Sequence, residues 1–135
     1  DPSIPEIYGD KNLFIQALIN ITQNAVYACT NSNVEPCLSI QTKIAYRQPI
    51  NGTIHKTLVE IIIKDNGPGV SPEIKDQIFF PMISGKENGS GIGLSISQDI
   101  VRIHGGSISF YRKDEQTIFS ILVPISTSIQ GAQIA

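Results

Sequence analysis

Apolar residues recur at helical spacing from Asp10 to about Thr30, where Phe14, Ala17, Leu18, Ile21, Ala25 and Ala28 share one face. Asp10 stands where a helix cap belongs, and Asn31-Ser32-Asn33 breaks the period. The repeat then shortens to two. Leu38, Ile40, Ile44 and Tyr46 alternate through Gln48, and a second run of the same kind extends from Thr57 to Asp65. The stretch from Pro49 to Lys56, with Asn51-Gly52 inside it, predicts a connection longer than the tightest hairpin between antiparallel neighbours. Ser71-Pro72-Glu73 predicts the start of a short helix that ends before Pro81. A further helix is expected from Ile92 to His104, closed by Gly105-Gly106, with strands at Ser107 to Arg112 and Thr117 to Val123. The segment from Ser126 to Ala135 has no period and is expected to be a disordered tail, leaving residues 1–125 as one domain. The mixture predicts an α+β fold in two layers, with about three helices on one face of a mixed, mostly antiparallel sheet.

Composition narrows the function classes. The chain has 135 residues, 41% of them hydrophobic and 16% charged, which supports one core and argues against disorder. A net charge of −2 lacks the electrostatic footprint of a nucleic-acid binder. Apolar runs such as Ile61-Ile62-Ile63 are far too short to span a membrane, and no leader-like segment opens the sequence. Cys29 and Cys37 form no metal-type spacing and read as reduced thiols of a cytoplasmic protein.

Three features carry chemistry. Asp65 shares strand parity with Val59, Ile61 and Ile63, so its carboxylate is expected on the buried face, where it needs a donor. Asn66-Gly67-Pro68-Gly69 follows it, and the plainer alternative is an aspartate that caps its own turn. Eight of the eleven glycines fall between Gly67 and Gly106, and Gly89-Ser90-Gly91-Ile92-Gly93-Leu94 opens a helix, where free N–H groups favour an anion. A tolerant loop would look the same, but a Walker A loop is excluded because Gly85-Lys86 is followed by Glu87 and position 80 is Phe80. A dinucleotide fingerprint fails because Ile96 stands where its third glycine belongs. Gln16, Asn20, Gln23, Asn24 and Tyr27 form an uncharged stripe beside the first apolar face. Asn20 and Asn24 are one turn apart, so their amide oxygens can converge on a hard cation, or the stripe is simply a neutral polar face.

Taken in order, Asn20-x-x-x-Asn24, Asp65-Asn66-Gly67-Pro68-Gly69, Phe79-Phe80-Pro81-Met82 and Gly89-Ser90-Gly91-Ile92-Gly93-Leu94 resemble the N, G1, F and G2 boxes of the sensor histidine kinase catalytic domain. That domain has the Bergerat ATP-binding fold. The stretch from Phe79 to Lys86, the long 38–64 hairpin and the ending from Thr117 to Ile125 are most similar to the nitrogen-regulation subgroup. The resemblance implies that Asp65 accepts from the adenine amino group with Thr117 in support. It implies that Asn24 holds Mg²⁺ beside Asn20, and that Gly91, Ile92 and Gly93 offer amides to the phosphates. Residues from about Ile83 to Asn88 would form a lid anchored by Phe79, with Lys86 facing phosphate charge. The implied ATP set is Asn20, Asn24, Tyr27, Asp65, Gly67, Gly69, Val70, Phe79, Lys86, Ser90, Gly91, Ile92, Gly93, Leu94 and Thr117, with Asn20, Asn24 and Lys86 nearest the transfer.

Two departures matter. Tyr27 stands where many members carry Lys or Arg. His55, read as a loop residue, and His104, at a helix end, lack the acidic neighbour of a phospho-accepting histidine. The implied partners are therefore a histidine-bearing dimerisation domain of the same homodimeric kinase and a response regulator, with this chain alone a monomer. Two rivals share the fold. Hydrolases of the gyrase and chaperone kind carry a Glu base where this chain has Asn20, which cannot take a proton. The other is a degenerate nucleotide-sensing or docking module.

Overall fold

The computed structural model describes residues 1–80 and 93–125. Helix α1 spans Lys11–Asn31, strands β1 and β2 span Leu38–Ile50 and Thr53–Asp65, and a single 3₁₀ turn spans Lys75–Gln77. Helix α2 then spans Gly93–Ile103, followed by β3 at Ser107–Lys113 and β4 at Gln116–Pro124. The sheet order is β1-β2-β4-β3, with every pairing antiparallel. The α+β expectation therefore holds, with two α-helices rather than about three, and no parallel strand pair, among the described residues.

Two other expectations are corrected. The first hairpin closes on two residues, since Ile50 pairs with Thr53 and the strands run to the turn. Asn51 and Gly52 have φ of 50° and 83°, the pair of positive values that a tight turn matching strand twist requires. His55 consequently lies within β2, opposite Gln48. The Ser71 segment forms no α-helix. Ile74 N–H donates to Ser71 O, Gln77 N–H to Ile74 O and Phe80 N–H to Gln77 O, all three-residue steps. So short a segment, stopped by Pro81, cannot recover the cost of nucleating a longer helix. The proposed tail lies outside the described residues.

Strand parity sets the core. Val59, Ile61 and Ile63 of β2 pack with Phe119, Ile121 and Val123 of β4, under Ile21 of α1 and Val101 of α2. Each such side chain contributes roughly 1.5–3 kcal/mol on burial. The helices cover the two central strands and not the edge. Ile40 and Tyr46 of β1, on the same side as this core, stay 56% and 62% exposed. Where α1 meets α2 the contact is made by small residues. Ala17 and Ser97 are both fully buried, and Ser97 Oγ donates to Ala17 O at 3.1 Å.

Helix ends are locked by local chemistry. Asp10 accepts from the N–H groups of Asn12 and Leu13 at 3.0 and 3.1 Å. At the far end of α2, Gly105 has φ +75°, and Gly106 N–H returns to Val101 O at 2.9 Å. A Cβ on Gly106 would collide with Leu122 O, so only glycine lets the chain pass β4 there. His104 then joins the two caps. Its Nε2 accepts from Asp10 N–H at 2.9 Å, Nδ1–H donates to Ile100 O at 2.7 Å, and Phe14 meets its ring edge-on. His104 is thus a structural residue. His104→Ala is expected to lower stability by about 1–3 kcal/mol through the orphaned N–H and lost packing. A urea-denaturation midpoint equal to the parent's would refute this.

Candidate functional site

Helix α1 touches both the Gly67 turn after β2 and Gly93 at the start of α2. At its middle, Asn20 Nδ2 donates to Gly93 O at 3.2 Å, and a Cβ on Gly93 would lie 3.8 Å from Asn20 Cβ. Nearer its end, Cys29 Sγ lies 3.2 Å from where a Gly67 Cβ would be. Nine residues of helix separate these contacts, a rise of about 13 Å. Half-buried Asn24 and Tyr27 lie between them. The face of α1 between these contacts, with the β2 turn at one end and the start of α2 at the other, is the candidate cleft.

The β2 end is built around a buried acid. Asp65 is 3% exposed, and its cross-strand partner Thr117 is 5% exposed. The inward direction that strand parity predicts holds for both. Asp65 Oδ1 accepts from Gly67 N–H at 2.9 Å, and a Cβ on Gly67 would sit 2.9 Å from that same oxygen. Glycine is thus required for the turn to fold back on its own carboxylate. Burial raises the Asp65 carboxyl above the ordinary 3.8, opposed by the Gly67 bond and then by the Arg112 cation. Burial also raises the Cys29 thiol, with Asp65 and Cys37 adding to the shift.

Two residues of this end went unrecognised in the sequence. Asn66 Oδ1 accepts from Cys37 N–H at 2.8 Å and from Cys29 Sγ at 3.4 Å, and its Nδ2 donates to Glu35 O at 3.0 Å. It ties the α1–β1 connection to the turn. Arg112 of β3 donates from Nη1 to Gly67 O at 2.9 Å and to Thr117 Oγ1 at 3.0 Å. The signal for Arg112 was available, because it shares parity with Ile108 and Phe110, which pack on the core. The signal for Asn66 was not, because its partners are set by the path of a loop.

The remaining expected residues are placed as follows. Val70, Phe79 and Leu94 pack against the core, Phe79 meeting Phe110 and Phe119 at 6.2 and 6.4 Å between ring centres. Gly69 has φ +83° and lies against Arg112. Asn20 differs from the converging-amide expectation. Its oxygen accepts from Gln16 at 2.9 Å while its nitrogen is committed to Gly93 O, so it braces α2 instead of pairing its oxygen with that of Asn24. Lys86, Ser90, Gly91, Ile92 and the Ile83–Asn88 segment lie outside the described residues. No group of three His, Cys, Asp or Glu capable of holding a metal occurs among the described residues.

Comparison with known proteins decides the family. Residues 9–127 match the family described as histidine kinase-, DNA gyrase B-, and HSP90-like ATPase. The chain belongs to it. The family is one of ATPases, which supports ATP as the nucleotide of this domain. The chain is 37% identical over 125 residues to the sensory histidine kinase/phosphatase NtrB of Salmonella typhimurium. It is 39% identical to NtrB of Vibrio alginolyticus. Each match covers 93% of this chain and 35% of the relative, so the chain spans about a third of the length of these curated relatives. Among solved structures, the catalytic domain of histidine kinase ThkA superimposes with a TM-score of 0.69 at 28% identity, covering 88% of this chain and 70% of that one. Among the described residues of this ATPase-family domain, no helix is long and apolar enough to cross a membrane.

The raised Asp65 carboxyl has a measurable consequence. Between 3.8 and its raised value the folded chain holds a proton that the unfolded chain has released. Stability without nucleotide should therefore fall as pH rises through that window and level off above it. Asp65→Asn should remove this slope. Urea midpoints between pH 4 and 8 read it directly, and a slope that persists in Asp65→Asn would assign it to another group.

Proposed function

We propose that this chain is the ATP-binding catalytic domain of a sensor histidine kinase of the nitrogen-regulation type, cytoplasmic like the reduced thiols it carries. The observation that carries the reading is the buried Asp65 carboxylate, with Thr117 opposite it, at the end of the cleft formed by α1 and the glycine turn. A buried carboxylate is an acceptor that adenine can satisfy with its amino group. Guanine presents an oxygen there, and two facing acceptors leave a buried group unpaired at a cost of about 1–3 kcal/mol or more.

The other end of the cleft is assigned to the phosphates. Asn24 offers a half-buried amide that no described residue engages, which fits Mg²⁺ held by one amide oxygen together with phosphate oxygens. When bound, Mg²⁺ supplies charge neutralisation to the phosphate chain. Asn20 keeps the start of α2 at that end through Gly93 O, and backbone amides of Gly91, Ile92 and Gly93, with Lys86 and Ser90, complete the assignment. The γ-phosphate then passes to a histidine on a separate dimerisation domain, leaving ADP, and onward to a response regulator. Asn20 favours this over hydrolysis, since an amide cannot activate water as a base.

Calorimetric titration with a non-hydrolysable ATP analogue and Mg²⁺ tests the assignment, with the GTP analogue as control. One site is expected, about tenfold or more selective for adenine and weaker without Mg²⁺. Asn24→Ala should abolish the Mg²⁺ dependence, and Asp65→Asn should weaken binding at least tenfold. Parental affinity in both variants would overturn the assignment. Binding without phosphotransfer to a supplied histidine domain would favour a sensing module instead.

A further inference from the structure

The Arg112 guanidinium lies across the glycine turn. A Cβ on Gly69 would come 2.9 Å from Arg112 Nη1 and 3.3 Å from its Cδ, so the missing side chain makes room for it. Its two terminal nitrogens make three donated bonds. Nη1 reaches Gly67 O at 2.9 Å and Thr117 Oγ1 at 3.0 Å, and Nη2 reaches Glu115 O at 3.3 Å. Arg112 and Thr117 are register partners on β3 and β4, and Thr117 is in turn the register partner of Asp65 on β2. One row across three strands therefore places guanidinium, hydroxyl and carboxylate side by side.

The direction of the middle bond decides the polarity of the row. Arginine carries donors and no acceptor, so Thr117 Oγ1 must receive. A hydroxyl has one proton, and with Arg112 seated on its oxygen that proton points elsewhere. Among the described residues no acceptor takes it. Toward the cleft the pair consequently presents an acceptor, Asp65, next to a donor, the Thr117 hydroxyl. Adenine offers the complement, an amino donor next to a ring-nitrogen acceptor. Guanine offers an oxygen next to a ring N–H, which is mismatched at both points.

We propose that Arg112 is a positioning residue for base recognition, holding the Thr117 hydroxyl as a donor beside the Asp65 acceptor so that the pair selects adenine over guanine. The proposal rests on the assignment of Asp65 to the adenine end of the cleft and adds a residue that never touches the nucleotide. The cation has a second effect in the same place. Asp65 faces the Cys29 thiol from α1, the Gly67 N–H of its own turn and Arg112 from β3. Arg112 is the one positive charge in that set, and it favours the ionised carboxylate that the amino group requires.

The test uses the whole chain with Mg²⁺ and the non-hydrolysable analogues of ATP and GTP. Arg112→Met and Arg112→Gln each remove the cation, and either is scored once a cooperative urea transition shows that it folds. The adenine-over-guanine ratio should fall about tenfold in both, the loss of one charge-assisted hydrogen bond. The acid midpoint of ATP-analogue binding should also move to higher pH. In a Thr117→Val background, adding Arg112→Met should change the ratio by less than twofold, because the hydroxyl it orients is gone. A parental ratio in the folded Arg112 variants, or the full loss repeated in the Thr117→Val background, overturns the proposal and leaves the nucleotide assignment standing. A parent chain that binds both analogues equally overturns the assignment itself.

Discussion

Placing a carboxylate among Ile63, Phe119 and Cys29 is the constraint on which the rest of the site depends. An ionised acid in that setting is tolerated only with compensation at hand, and the chain supplies a donor and a cation from two directions. Gly67 N–H comes from the turn directly after the acid, and the Arg112 cation comes from a strand two places away in the sheet. Neither removes the cost of burial, since the carboxyl stays raised above its ordinary value. On the proposed reading, a ligand that brings an amino group to this acceptor offsets part of that cost.

Helix α1 converts this local chemistry into a cleft. Its apolar face is pinned to the sheet through Ile21, and its small residues let α2 approach closely, with Ser97 bonded to the Ala17 carbonyl. Of the neutral stripe beside that face, Gln16 and Gln23 are exposed, and half-buried Asn20, Asn24 and Tyr27 lie along the helix between the Gly93 and Gly67 contacts. Charged side chains there would have been drawn to solvent or to Asp65. Amides instead brace the structure, as Asn20 does at Gly93 O, or remain available, as Asn24 does. The His104 contact at Asp10 joins the start of α1 to the end of α2.

Much of this was legible in the linear chain because it depends on short-range rules. Alternation of two put Asp65 and Thr117 on the inner face, and the glycine pair after His104 marked the end of α2. The same short-range chemistry was misjudged at Asn51-Gly52, where a loop was expected and the residues closed the tightest hairpin, and at Ser71, where a helix signal gave only 3₁₀ turns. Those errors concern local free energies that differ by little, so flanking strands and Pro81 tip the balance.

Other features required the folded chain. The β3–β4 hairpin sets Arg112 beside Thr117, but Thr117 stands beside Asp65 only because β4 inserts between β2 and β3. The bonds of Asn66 depend on where the α1–β1 connection passes, and the exposure of Ile40 and Tyr46 on how far the helices reach. By itself, the sequence determined which residues face inward, where turns must form and which boxes stand in order, because parity and backbone chemistry act over a few residues. The tertiary structure alone decided that Arg112 and Thr117 stand beside the buried acid and its turn, because the Arg112–Gly67 bond and the Asp65–Thr117 pairing join residues 45 or more positions apart through the strand order.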